Sequence, residues 1–184
     1  MSSVTASVAT DEPEALDGQA FMNDSRLPEL LARYMAGSGE AMGMFYDLTH
    51  RLAYTYVFAR TDDEAKTEEI VTAAYLAACD SVGEWAALSI SPGAWLLRVV
   101  REVADTMLQD SFGLAIVADG EGHEHVLQAA KQLAPHPQEC LVLRHFFGFS
   151  DQSIGEVLGL DEATVAAMCD QGMRVLQILK PIHP

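Results

Sequence analysis

Apolar residues recur every three or four positions through most of the chain, a period that predicts helices rather than strands. Leu27, Leu30, Leu31 and Tyr34 share one face of a first segment, and Pro28 suits its opening turn, where a missing N–H costs nothing. Gly37 and Gly39 break that segment. A second, from about Glu40 to Arg60, turns Met44, Phe45, Leu48, Leu52, Tyr56 and Val57 inward. Thr61 or Asp62 is placed to cap a third, which carries Ile70, Val71, Ala74, Tyr75 and Ala78. Ser91-Pro92 opens a fourth with Trp95, Leu96, Val99, Val100 and Val103. Four helices with short connections and wide apolar stripes make a small bundle. Residues 108–124 then lose the period. Their glycines and acidic residues read as a linker in which Leu114 to Val117 has the pattern of a short ordered piece that docks on a neighbour.

Helical spacing resumes from about Glu124 to Leu133 and again from Pro137 to Phe147. Ser150 is placed to cap a short helix with Ile154, Val157 and Leu158 on one side, and Gly159 supplies the left-handed position that ends it. Asp161 is placed to cap a further helix carrying Val165, Met168, Cys169 and Leu176. Helix, glycine turn, helix is the helix-turn-helix pattern, whose second helix lies in the major groove of DNA. The predicted fold class is therefore all-α, with an acidic disordered tail over residues 1–24, a helical domain over 25–107, the linker, and a helix-turn-helix domain over 125–184.

Charge changes this picture. The 184 residues carry a formal net charge of -16, which opposes attraction to nucleic acid and to anionic membrane and favours basic protein surfaces. Within the helix-turn-helix the imbalance is local. No lysine or arginine lies between His145 and Met173, whereas Asp151, Glu156, Asp161, Glu162 and Asp170 do. Phosphate contacts supply most nucleic-acid affinity and need cations, so this helix meets a duplex against a repulsive field. No apolar run reaches the roughly 20 residues that cross a bilayer, and the N-terminus lacks a basic-then-apolar leader, so the expected location is the cytoplasm. Cys79, Cys140 and Cys169 are widely spaced and odd in number, which reads as small buried hydrophobes rather than a disulfide framework.

At this point the chain resembles the extracytoplasmic-function sigma factors of the sigma-70 superfamily. Residues 27–79 and 91–107 look like that family's second conserved region, and residues 133–165 like its fourth, the likeness running over about residues 27–179. Phe45-Tyr46, Ala94-Trp95-Leu96 and the LVLRHFFGFS segment leading into Ile154, Gly159 and Thr164-Val165 are the most specific matches. The resemblance implies core RNA polymerase or an anti-sigma factor as partner, with promoter elements read by both domains.

Carried over position by position, the resemblance weakens where contacts are made. The family's polymerase grip falls on Glu69, Ile70, Val71, Thr72 and Ala73, where its usual Gln and Glu are Thr72 and Ala73. Its promoter-melting helix falls on Trp95, Arg98, Arg101, Glu102 and Thr106, with Gln109 and Asp110 beyond. There Arg98 and Arg101 offer phosphate pairing to a single strand or serve as helix-surface charges offsetting nearby carboxylates. Its recognition helix falls on Thr164, Val165, Ala166, Ala167, Met168 and Gln171, where each position expected to aim a cation at DNA is neutral. Three readings follow. The first is a degenerate sigma-like protein acting through polymerase, an anti-sigma factor or another regulator; Met168, Met173 and Phe146, Phe147 and Phe149 are its candidate contact surface. The second is a genuine sigma factor of unusual composition. The third, an enzyme or metal module, finds little support: His123 with His125, and Cys140 with His145, lack standard zinc-ligand spacing, and no phosphate loop or triad appears, so neither cofactor nor metal is expected. The sequence does not fix the oligomeric state.

Overall fold

The computed structural model describes residues 17–109, 112–115, 131 and 133–179. Eight helices and no strand occur among them: α1 Gly18–Met22, α2 Arg26–Met35, α3 Gly39–Thr61, α4 Glu64–Trp85, α5 Pro92–Leu108, α6 Pro135–His145, α7 Asp151–Leu158 and α8 Glu162–Leu179. The chain is all-α, as its periodicity predicts.

Helix ends follow side-chain chemistry. Asp63 accepts the Lys66 amide at the start of α4, one residue beyond the expected cap, because Asp62 takes the left-handed position that closes α3 (φ 49°). Ser91 accepts the Ala94 amide ahead of Pro92, and Ser150 accepts the Ser153 amide at α7. Gly159 ends α7 with φ 71°, and Asp161 accepts the Thr164 amide at 2.9 Å, starting α8. Each cap satisfies a backbone donor that the helix cannot. Gly155 lets this turn close tightly, since a Cβ there would stand 2.6 Å from the Leu160 carbonyl oxygen.

Helices α2 to α5 pack on one another around Leu27, Leu31, Phe45, Tyr56, Ile70, Leu96, Leu97 and Val100, while α6 to α8 gather around Leu141, Leu143, Ile154, Val165 and Cys169. The two groups are not separate bodies. α5 packs against α7, and one continuous apolar cluster runs through both. Aromatic rings bridge the groups: Tyr56 of α3 lies 6.2 Å from Phe147, which lies 5.8 Å from Phe149. The segment after α5 joins in, with Phe112 buried 5.8 Å from Tyr56 and the Ala115 amide donating to the Ala59 carbonyl at 3.0 Å. Of the piece expected to dock, Leu114 to Val117, only Leu114 and Ala115 fall within the described residues.

The N-terminal expectation needs correction at its end. Most of residues 1–24 lie outside the described residues, but residues 18–22 form a helix, capped by Asp17, instead of continuing a tail. The reason is apolar anchoring. Met22 is buried, and Phe21 and Met22 press on Gly93, where a Cβ would stand 2.8 Å from the Phe21 ring. The expected helix from Glu124 to Leu133 falls almost entirely outside the described residues.

Candidate functional site

Three surfaces carry the residues singled out in the sequence. On α4, Ile70 and Val71 are core residues, 0% and 2% exposed, so they cannot touch a partner. Glu69 and Thr72 are exposed and Ala73 half-buried; Glu69 also takes Lys66 at 2.8 Å. Leu76, 65% exposed one turn further on, extends this face, and its spacing from Thr72 was a signal available in the sequence. An aromatic series on α3 (Tyr46, His50, Tyr54 and Phe58, consecutive centroids 4.7, 5.8 and 6.0 Å apart) runs alongside α4. Burial, followed by the carboxylates of Glu64 and Glu68, holds the Tyr54 hydroxyl above its ordinary pKa.

On α5 the expected melting residues are placed differently from a strand-binding surface. Trp95 is buried in the bundle core, whereas Glu102 and Thr106 are exposed, the Thr106 hydroxyl donating back to the Glu102 carbonyl. Neither arginine is an outward surface charge. Arg98 donates from Nε to the Glu156 carbonyl of α7. Arg101 grips Glu139 of α6, its Nε lying 3.0 and 3.1 Å from the two carboxylate oxygens. Both guanidiniums of this helix are engaged by the second helical group.

Glu139 is a residue the sequence reading missed. It is fully buried, accepts the Tyr56 hydroxyl at 2.6 Å and lies among Arg101, Arg60 and Asp105. Burial pushes its carboxyl above the usual range, against the pull of Arg101, and burial followed by the Glu139 charge raises Tyr56 well above its ordinary value. Arg60, its side chain 1% exposed, pairs with Asp105 at 2.7 Å and lies 5.3 Å from the Phe112 ring centre. Desolvating four charges is costly unless they are mutually paired; Arg101 pairs with Glu139 and Arg60 with Asp105, while Nε and Nη1 of Arg60 are buried without a hydrogen-bond partner among the described residues. The sequence signal was a carboxylate at the edge of an apolar run, Glu139 immediately before Cys140-Leu141-Val142-Leu143.

On α8 the outward stripe is Ala163, Ala167, Asp170, Gln171 and Arg174, all exposed. Thr164 and Ala166 are half-buried, Val165 is core, and Met168 is packed inward with its sulfur 3.8 Å from the Cys140 thiol. Met168 is therefore a packing residue. Phe147 and Phe149 are likewise buried between the helical groups and are unavailable as adaptable contact surface, with Phe146, Met168 and Met173 packed against the same core. The nearest cation preceding the stripe, Arg144, is paired with Asp151.

The sequence and the all-helical fold both have counterparts among known proteins. The chain is 27% identical over 181 residues to the ECF RNA polymerase sigma factor BldN of Streptomyces coelicolor, covering 88% of this chain and 69% of that protein. It is 25% identical over 171 residues to the ECF RNA polymerase sigma factor SigK of Mycobacterium ulcerans, covering 82% and 91%. The chain is thus similar to extracytoplasmic-function RNA polymerase sigma factors. Its fold is shared with CnrH, solved in complex with the cytosolic domain of CnrY, at a TM-score of 0.61 and 20% identity over 84% of this chain and 96% of that one. No protein-family model matches. No cluster of three or more metal-ligating side chains occurs among the described residues, and no described helix is long and apolar enough to cross a membrane.

Proposed function

We propose that this sigma-family protein regulates transcription chiefly through protein contacts, with core RNA polymerase or an anti-sigma factor as partner, and reads promoter DNA weakly or not at all. One observation carries the reading: the cations that a sigma architecture needs for nucleic acid are either missing, as on the outward stripe of α8 before Arg174, or occupied, as Arg98 and Arg101 are by α6 and α7. Each lost phosphate contact costs a factor in affinity that grows as salt falls, so several losses together remove orders of magnitude. The exposed strip of Glu69, Thr72 and Leu76 beside the α3 rings offers an apolar and acidic face suited to a basic protein surface. CnrH was solved with the cytosolic domain of CnrY, and a comparable partner is the natural occupant here.

The second reading, a sigma factor that directs initiation at a defined promoter, is favoured by the relatives, which are RNA polymerase sigma factors. Titrating the purified chain against core polymerase and against an anti-sigma domain, each with and without promoter duplex, separates the two. Protein complexes unaffected by duplex support protein contact as the function. Tight, sequence-dependent engagement of duplex by the polymerase complex overturns it.

A further inference from the structure

The geometry points to a latch that holds the two helical groups closed over the arginine face of α5, built from a buried charge cluster and the α1 strap. It goes beyond the proposed function, since it concerns when α5 is accessible rather than what it would then bind.

The charge cluster joins three helices. Glu139 of α6 is the only member supplied by the second group among the described residues, and it reaches both Tyr56 on α3 and Arg101 on α5, 83 and 38 positions away in the chain. Arg60 and Asp105 complete the set from α3 and α5. Lifting α6 away strips Arg101 and Arg60 of this carboxylate at once, so the contact favours full closure or full release. A second clasp lies at α7, where Glu156 accepts Arg98 through its backbone carbonyl and the Ser91 amide through its side chain at 3.1 Å.

The strap works beside this clasp, the Met22 sulfur lying 3.9 Å from the Ser91 hydroxyl. Gly18 donates its amide to the Phe147 carbonyl at 2.9 Å, and Gln19 accepts the Ser150 amide at 2.7 Å and the Ser153 hydroxyl at 3.3 Å. A few residues on, Phe21 and Met22 are seated against Gly93 at the start of α5. One turn of helix thus ties the first group to the second. Only glycine fits its first position, because a Cβ at Gly18 would stand 2.3 Å from the Phe147 carbonyl oxygen. Closed, the latch keeps Arg101 and Arg98 turned into the protein; released, it presents both on the face of α5.

Amide hydrogen exchange on the full chain tests the latch, using Gly18→Ala for the strap, Glu139→Gln for the cluster and Arg98→Ala for the clasp. The amides of Gly18 and Ser150 report on the strap, and that of Ser91 on the clasp, while amides within α3 and α4 report on folding. The latch predicts that Gly18→Ala and Glu139→Gln each speed exchange at Gly18 or Ser150 at least tenfold, with α3 and α4 within about twofold of the unmodified protein. Arg98→Ala should speed Ser91 selectively. Exchange at the crossing amides unchanged in all three variants overturns the proposal. So does protection lost uniformly through α3 and α4 in Glu139→Gln with no selective effect in the other two, which would make these groups parts of the general core.

Discussion

If the protein reads DNA weakly, as proposed, placing cations on the outward face of α8 should give it salt-sensitive DNA binding. Ala167 and Gln171 are exposed and Ala166 half-buried, so Ala166→Lys, Ala167→Arg and Gln171→Arg add three charges without entering the core; Met168, packed against Cys140, is left alone. If each new cation meets one phosphate, the slope of log affinity against log salt steepens by about 0.9 per contact, about 2.7 in all. Between 50 and 200 mM salt, a fourfold change, that slope alone corresponds to a loss of about 40-fold in affinity. The unmodified protein, with Arg174 at the end of the stripe, should show a slope no steeper than about 1. Fluorescence anisotropy with a labelled duplex at several salt concentrations measures both. A triple variant with the same shallow slope as the parent would mean that α8 does not present this face to a groove. A parent already as steep as the variant would mean that phosphate contacts are made elsewhere, and the electrostatic reasoning would fail.

Three further outcomes are expected. Ser150→Ala removes the α7 cap and should cost about 1 kcal/mol, a fall of about 2–4 °C in the thermal midpoint of a protein this size. Gly155→Ala drives a Cβ into the Leu160 carbonyl, which side-chain motion cannot relieve, and should cost about 1–3 kcal/mol by chemical denaturation, more than the cap loss. The Thr164 hydroxyl and then its amide hold the Asp161 carboxyl below the usual range. A depressed acid stabilises the fold above its unfolded value of 3.8 and loses that contribution as pH falls through its folded value, so protection at the start of α8 should weaken on acidification. Asp161→Asn should flatten that pH dependence, and amide exchange at Thr164 measures it.

The helices were legible because their apolar spacing and caps are local signals. Ser91-Pro92, Ser150, Gly159 and Asp161 each sit where the chain must satisfy or release a backbone group, and α5, α7 and α8 begin or end there. The missing cations of α8 were legible for the same reason, as a property of one segment. What local reading could not supply was the meeting of distant segments. Arg98 and Arg101 look like surface charges along α5, and only the return of α6 and α7 turns them inward. Glu139 offered a clue, an acid at the edge of an apolar run, but its partners Tyr56 and Arg101 lie far off in the chain. Residues 18–22 read as tail because five residues bury little alone; their helix depends on Phe147 and Gly93, contributed by two other segments. Ile70 and Val71 show the converse, where a family pattern named five neighbouring residues for contact and the helix period assigned two of them to the core.

Run-off transcription tests the central claim most directly. Core RNA polymerase, the unmodified protein and a library of promoter fragments are combined at ordinary ionic strength, with a conventional extracytoplasmic-function sigma factor as the positive control. The account predicts transcripts from the control and none from this protein beyond the core polymerase background, even though it associates with polymerase or an anti-sigma domain. A discrete transcript from a defined start site, dependent on this protein alone, would contradict it.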